Sequence, residues 1–561
     1  MNSPSIRRFY RRTLLSLAVL ATALGAYSFR NPEENLFELS RNLDIFTTVL
    51  RELTVYYVDT PDPKALVEEG IHSMLESLDP YTQFIPEEEA DDYRFMTTGQ
   101  YGGIGAMIGQ RNETVIITDP YEGFPAQKSG LMAGDVIVAI DGKSIKGKKY
   151  DEVSRLLKGQ PKTNLTVTVE RMGEKQPVTK TLTREEISIP NVPFYGVIGD
   201  DVGYIRLSGF TDDAGLEVRK AVEELVQKRK VKGILLDLRG NPGGLLNEAV
   251  NVANVFIDKG QEVVSTRGKV KEWDKVYRTE YTAVDTKTPV AVLVNSGSAS
   301  AAEIVAGTLQ DLDRAIIIGQ RTFGKGLVQT TRPLLYNAQL KITTAKYYIP
   351  SGRCIQTIDY SHRNPDGSVG KVPDSLISEF RTKGGRKVYD GGGITPDFAS
   401  DTPMVSSISE ALIANYILFD YATYYRNSHP SISAARDFHL PDQEYEAFVR
   451  WQGDKDYSYV TDSERMLREL RETAEREKYF EHIKAKYDAV KKLLTHEKTT
   501  DLQLNKTEIR ELLENEIVSR YYYQNGRIET AFDDDPDILT AVKALRTPEV
   551  YNAIFNRNYR P

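Results

Sequence analysis

Cysteine is nearly missing from this chain: Cys354 stands alone in 561 residues. That excludes an intramolecular disulfide framework and any metal site built from several cysteines. Histidine is almost as scarce. The six present, His72, His362, His429, His439, His482 and His496, show no zinc-ligand spacing and no H-E-x-x-H pair. Only His362 falls within residues 187–400, in a polar Ser361–Pro365 loop, so a Ser/His/Asp triad has little support. No metal and no organic cofactor is expected. Positive charge is not in excess either. The net charge of −8 removes the usual reason to expect a nucleic-acid partner. Internal repeats and low-complexity tracts are absent.

What is there begins at the N-terminus. Arg7, Arg8, Arg11 and Arg12 precede the apolar stretch Thr13–Tyr27, and Ala21-Thr-Ala23 offers an A-x-A-like cleavage site. The stretch is short of the about 20 apolar residues a membrane span needs. Residues 1–29 read as a cleaved export signal or as a retained membrane anchor, with a buried core helix as the third reading. No cysteine follows the apolar run, which excludes a lipid anchor there. Either main reading exports residues 30–561 to the periplasm or cell envelope.

The length calls for about two to four domains, and composition shifts suggest where they lie. Residues 30–98 read as helical, with Leu36, Phe37, Leu39, Leu43, Phe46, Val49 and Leu50 at helical spacing and a second helix from Pro63. A packing or dimerisation role suits this region. Residues 99–186 form a small β-rich module that opens on clustered glycines and holds one short helix, Tyr150–Leu157. Residues 187–400 alternate strands and helices, the pattern of an α/β core. Residues 401–561 read as mostly helical; Thr461 with Glu464 makes a capping box, and Asn525-Gly526 suggests a helix end.

Two segments carry chemistry. Asn295-Ser-Gly-Ser-Ala-Ser-Ala-Ala-Glu303 puts Ser300 where the apolar strand Val290–Val294 runs into a helix. Ser300 with Glu303 is also a capping box, so a plain N-cap is the competing reading. At a helix start, however, a serine has backbone N–H groups and the positive dipole end beside it, and these can hold an oxyanion. Thr322-Phe-Gly-Lys-Gly-Leu-Val-Gln329 puts Lys325 between two glycines and beside apolar runs. A solvated surface lysine is the competing reading. A lysine starts near pKa 10.4, and desolvation can lower it by several units, which makes it a base for the serine. Gln329 could orient the amine. Together these residues suggest a hydrolase that cuts peptide bonds without histidine.

The same stretch, Gly319 to Lys325, matches the opening of a phosphate-binding loop, but Gly326 stands where Ser or Thr should follow and a strand pattern replaces the helix. In Arg239-Gly-Asn-Pro-Gly-Gly-Leu245 a glycine N–H could be a second oxyanion donor, with a tight turn as the alternative. Gly103-Ile-Gly-Ala106 could form a nest for a peptide carboxylate beside a strand edge.

Over roughly residues 75–400 the chain resembles the carboxyl-terminal processing peptidases, or tail-specific proteases. The resemblance rests on Leu78-Asp-Pro80, Tyr101-Gly-Gly-Ile-Gly105, Pro125-Ala with Ser129-Gly-Leu and Gly134-Asp, and Gly203-Tyr-Ile-Arg-Leu207. It also rests on Asp237-Leu-Arg-Gly-Asn-Pro-Gly-Gly244, Gly297-Ser-Ala-Ser-Ala-Ala-Glu303 and Phe323-Gly-Lys-Gly-Leu-Val-Gln329. It implies Ser300 as nucleophile, Lys325 as general base, Gln329 as the residue positioning the lysine, and the N–H groups of Gly244 and Ala301 as the oxyanion hole. It makes 99–186 a PDZ domain, inserted in the α/β protease core 187–400, with Gly103, Ile104, Gly105 and Ala106 in the peptide-carboxylate loop. Asp311 matches a family aspartate and is expected to be structural. Many relatives have serine where Ala302 stands. The expected partners are proteins or peptides with free C-termini. The rival reading is a PDZ adaptor or chaperone whose protease site is latent and gated by an activating partner protein.

Overall fold

The computed structural model describes residues 32–401, 405–453, 455, 457–494 and 498–555. The export-signal or anchor reading of residues 1–29 lies outside these. No helix among the described residues is long and apolar enough to cross a membrane. The described residues form two compact units that divide between Phe84 and Ile85.

The smaller unit carries the helices Pro32–Tyr56 and Pro63–Glu76. Asp62 starts the second by accepting the Lys64 N–H at 2.9 Å, and Pro63 occupies its first position, where a missing N–H costs nothing. The apolar row predicted from spacing does lie on one helix, but Phe37, Leu43, Phe46 and Val49 all remain exposed in the single chain.

In the larger unit the β module is a sheet of Ala106–Arg111, Thr114–Pro120, Val136–Ile140, Asn164–Glu170 and Val178–Thr183, paired antiparallel in that order. The helix Tyr150–Leu157 lays Val153 and Leu157 on the core made by Val115, Ile117, Ile137, Leu165 and Val167. Alternation along Asn164–Glu170, buried at every second residue, is what a half-covered strand requires.

The α/β core is a six-stranded sheet in the order Phe194–Ile198, Val202–Arg206, Gly233–Asp237, Val290–Val294, Ala315–Gly319, Phe398–Ala399. All pairs but the first are parallel. The three central strands are buried at every residue, as a sheet covered on both faces demands. One face packs on the helices Ala214–Glu223, Leu246–Phe256 and Ala301–Asp311. The other is covered from the far end of the chain, by the helices Pro536–Arg546 and Pro548–Phe555, whose Ile538, Ala541, Leu545 and Tyr551 meet Tyr204, Leu235, Leu293 and Ile316. A second, antiparallel sheet pairs Leu327–Pro333 with Gln339–Tyr348, and through it with Glu262–Gly268 and Lys275–Arg278.

The helical region between them has its own core of Leu412, Tyr421, Tyr445, Phe448, Ile509, Leu513 and Ile517. The capping box at Thr461 forms, with Thr461 N–H on Glu464 at 2.8 Å and Glu464 N–H on Thr461 Oγ1 at 3.2 Å. The helix end expected near Asn525-Gly526 falls at Tyr523 (φ 52°, ψ −147°), where Lys506–Thr530 is two helices joined across a kink. Gly526 is buried, and a Cβ there would come within 2.5 Å of Tyr522 Cβ and 2.7 Å of Val518 Cγ1, so glycine permits the close packing beside the kink. This region also grips the β module. Asp420 pairs with Arg111 at 2.9 Å, the Tyr523 hydroxyl accepts from Gln127 at 3.2 Å, and Asn427 donates to the Met172 carbonyl at 3.0 Å.

Candidate active site

The serine segment starts where the strand Val290–Val294 ends. Asn295 turns the chain; its Oδ1 accepts the N–H groups of Gly240 at 2.8 Å and Gly297 at 3.0 Å. Ser298 is fully buried, accepts the Asn295 N–H at 3.0 Å and donates to the Leu238 carbonyl at 2.8 Å, so its hydroxyl is committed to structure. Ser300 then enters the helix with φ 54° and ψ −114°. A non-glycine residue held in such a region costs about 1–3 kcal/mol and persists only where its surroundings impose it. Here Ala299 N–H donates to the Asn241 carbonyl at 2.9 Å, and the Tyr347 hydroxyl donates to the Ser300 carbonyl at 3.2 Å.

The loop Arg239–Leu245 lies against this turn. A Cβ on Gly243 (φ 94°) would stand 2.7 Å from the Ala299 carbonyl oxygen, 2.8 Å from Ser300 Cβ and 2.9 Å from Ala301 N; one on Gly244 would stand 2.3 Å from the Phe210 carbonyl oxygen. Only glycine tolerates this approach. Gly243 N–H is taken by Asn241 Oδ1 at 2.8 Å and Leu245 N–H by Phe210 at 2.7 Å. The N–H groups of Gly244 and Ala301 have no hydrogen-bond partner among the described residues. Two unengaged N–H groups beside a serine at a helix start can hold an oxyanion.

Lys325 is half-buried, between Gly324 and the buried Gly326, whose N–H donates to Gln356 at 2.7 Å. Gln329 is half-buried on the strand Leu327–Pro333 and donates through Nε2 to Thr343 Oγ1 at 3.1 Å. That leaves the carbonyl end of its amide as the end suited to a lysine N–H. A strand follows the lysine where a phosphate-binding loop needs a helix. His362, the one histidine in the core stretch, is 86% exposed and bonds Asp359 at 2.8 Å and Ser361 at 3.1 Å within its own hairpin.

The residue that joins the two segments is Glu303, which the sequence marks only as a capping partner. Its side chain is fully buried and takes four donors. Oε1 accepts Thr322 Oγ1 at 2.6 Å and Gly324 N–H at 2.7 Å; Oε2 accepts Ser300 N–H at 2.8 Å and Lys325 N–H at 2.9 Å. One carboxylate oxygen therefore binds the backbones of both Ser300 and Lys325. Burial pushes the Glu303 carboxyl up to about 7, against the pull of these hydrogen bonds. The S-x-x-E spacing could reveal the Ser300 half of this arrangement; the Lys325 half comes from the loop between the strands Ala315–Gly319 and Leu327–Pro333.

Asp311, at the far end of the serine helix, is sealed against Arg353: the guanidinium donates to it at 2.8 Å and Ser351 N–H at 3.0 Å, with both side chains 1% exposed or less. Breaking a buried pair by removing one partner leaves the other charge unpaired. Asp311→Ala is expected to lower the unfolding free energy by about 3–5 kcal/mol in denaturant melts, with kcat of the folded fraction kept. A loss within the range of a surface substitution would contradict a structural role.

In the β module, the Gly103–Ala106 loop carries Gly105 at φ 71° and buries Ile104. The carbonyls of Ile104 and Gly105 accept Ala126 and Tyr121 N–H at 2.8 and 2.9 Å, while their own N–H groups have no partner among the described residues. The loop opens on a groove of about 220 Å³ beside the helix Tyr150–Leu157, lined by Phe95, Tyr101, Met107, Tyr121, Tyr150 and Leu157 among others.

Three family models match the chain. Peptidase family S41 covers residues 201–366, a PDZ domain 116–171, and "Probable PDZ-protease, C-terminal helical domain" 408–545. A "Carboxy-terminal-processing protease" of Bartonella bacilliformis is 41% identical over 368 residues, 65% of this chain and 80% of that protein. A "Probable CtpA-like serine protease" of Staphylococcus aureus is 34% identical over 403 residues, 71% of this chain and 72% of that one. Among solved structures, the photosystem II D1 C-terminal processing protease is 30% identical, with a TM-score of 0.35, covering 63% of this chain and 86% of its own. Of the fold expected from the sequence, these matches support the protease core, the PDZ domain and the C-terminal helical region. With a relative this similar over four-fifths of its length, the chain belongs to peptidase family S41, as a carboxy-terminal-processing serine protease with a PDZ domain and a C-terminal helical domain.

Proposed function

We propose that this protein is an exported endopeptidase working through a Ser300/Lys325 dyad, with the PDZ domain holding the free C-terminus of its protein substrate. The observation that carries the reading is the shared Glu303 carboxylate, which binds the backbones of Ser300 and Lys325 and keeps the two segments in register. The Lys325 amine takes the Ser300 proton as Oγ attacks the scissile carbonyl. The N–H groups of Gly244 and Ala301 receive the oxyanion. The resulting ammonium protonates the leaving amine, and a water activated by the regenerated amine then cleaves the acyl-enzyme. Gln329 holds the lysine through its amide oxygen.

In the PDZ domain the N–H groups of the Gly103–Ala106 loop receive the terminal carboxylate, and the Phe95, Tyr101 and Tyr150 groove favours an apolar last residue. The basic and apolar N-terminal segment directs export or membrane attachment. The exposed row Phe37, Leu43, Phe46 and Val49 is the surface on which a second copy would pack. The grip of the helical domain on the PDZ domain gives a partner protein a handle for gating, as the latent-site reading requires.

The test uses one denatured reporter with a free apolar C-terminus and the same reporter amidated. A charge-assisted hydrogen-bond set lost from the carboxylate should raise KM by roughly 10- to 100-fold with kcat kept. Equal KM for both would remove C-terminus recognition from the reading.

A further inference from the structure

The loop that lays Gly243 against Ser300 and carries Gly244 is held from a place far along the chain. Arg239 opens that loop directly after the strand Gly233–Asp237 and Leu238. Its Nη2 donates to Asp237 Oδ2 at 2.8 Å and its Nε to both oxygens of Asp237 at 3.1 and 3.2 Å. Its remaining nitrogen, Nη1, reaches Asp535 at 2.7 Å and Asp537 at 3.4 Å. Asp535 divides its two oxygens. Oδ1 caps the helix Pro536–Arg546 by accepting Asp537 and Ile538 N–H at 2.9 and 3.1 Å; Oδ2 binds Arg239. That helix cannot drift, because Ile538, Ala541 and Leu545 are buried on the central sheet. Beyond Arg239, Gly240 and Asn241 pass the constraint on through Asn295 and the Ala299 N–H to the serine turn.

We propose that Asp535 is a positioning residue for the oxyanion loop, acting through Arg239, and that the last two helices are part of the catalytic scaffold. This rests on the reading of Gly244 as an oxyanion donor. A loop freed at one end leaves its donor off target when charge develops in the transition state, so the loss falls on kcat rather than KM.

The test separates this role from the helix cap. Asn and Ser cap helices about as well as Asp. Asp535→Asn keeps the cap and shape but removes the nearer of the two carboxylate charges on Arg239 Nη1, leaving Asp537 at 3.4 Å, and Asp535→Ser keeps the cap but is too short to reach Arg239. In the full chain, with a free C-terminal reporter, kcat should fall by roughly 10-fold for Asn and up to about 100-fold for Ser. KM and thermal midpoint should stay near wild type. Wild-type kcat in both variants, in an enzyme whose cutting depends on Ser300, overturns the proposal alone. So does a kcat loss that merely follows a fallen midpoint, for which the Asn variant is the control if the Ser variant folds poorly. Wild-type cutting that survives Ser300→Ala overturns the site reading, and the proposal with it.

Discussion

Ser300→Ala and Lys325→Ala will each lower kcat/KM on the order of 10⁴-fold or more, the scale seen when one member of a nucleophile–base pair is removed. Both should still bind a C-terminal peptide, because the Gly103–Ala106 loop belongs to a module with its own core. The sharper variant is Lys325→Arg. It keeps a positive charge on a long side chain, but a guanidinium does not deprotonate in a protein. A lysine needed only for charge or packing would be largely rescued by arginine; a general base would not. Rates measured by single turnover, with peptide binding followed separately, decide it. Cutting by Lys325→Arg at near wild-type rate would remove Lys325 as the base.

Glu303→Ala is expected to be nearly as damaging, although Glu303 touches no substrate in this reading. Its loss strips the partner from three backbone N–H groups, those of Ser300, Gly324 and Lys325, and from Thr322 Oγ1. Each buried donor left unsatisfied costs about 1–3 kcal/mol. A displacement of about 1 Å between nucleophile and base is enough for a loss of about 10²-fold in kcat. Glu303→Gln separates charge from shape and carries a pH signature. The folded carboxyl sits up at about 7, above its unfolded value, so its protonated form is the one folding favours. That contribution is complete below the unfolded value and is lost as pH rises through about 7. Glutamine does not titrate. Between pH 5 and pH 8 the unfolding free energy of wild type should therefore drop relative to Glu303→Gln, by about 3 kcal/mol. A difference that stays flat with pH would mean that the four donors, not burial, dominate Glu303.

Much of this was legible before any fold was known. Alternation of strand and helix patterns over 187–400 predicts the α/β core, because apolar periodicity is a local property of the chain. The S-x-x-E spacing predicts a helix start at Ser300, and the helix begins at Ala301. Other features were only partly legible or invisible. Asn525-Gly526 marks a helix end that falls at Tyr523, while Gly526 itself serves close packing beside the kink, a role that depends on Tyr522 and Val518 around it. The sequence marks 401–561 as mostly helical without saying what it packs on; its last two helices cover one face of the central sheet. Periodicity shows that a helix has an apolar face and is silent on what that face meets.

By itself, then, the sequence determined the elements, the serine at a helix start, the lysine between glycines and the glycine-rich loop. Each of these depends on residues close together along the chain, through backbone preference, capping and steric allowance for glycine. Tertiary structure alone decided that Ser300 and Lys325 share one buried carboxylate oxygen, that Arg239 is clamped by Asp535, and that the tail closes the core. Those pairings join residues tens to hundreds of positions apart. Burial of apolar surface brings them together, and burial then makes each polar contact obligatory, because a carboxylate or N–H removed from water must find its partner within the fold.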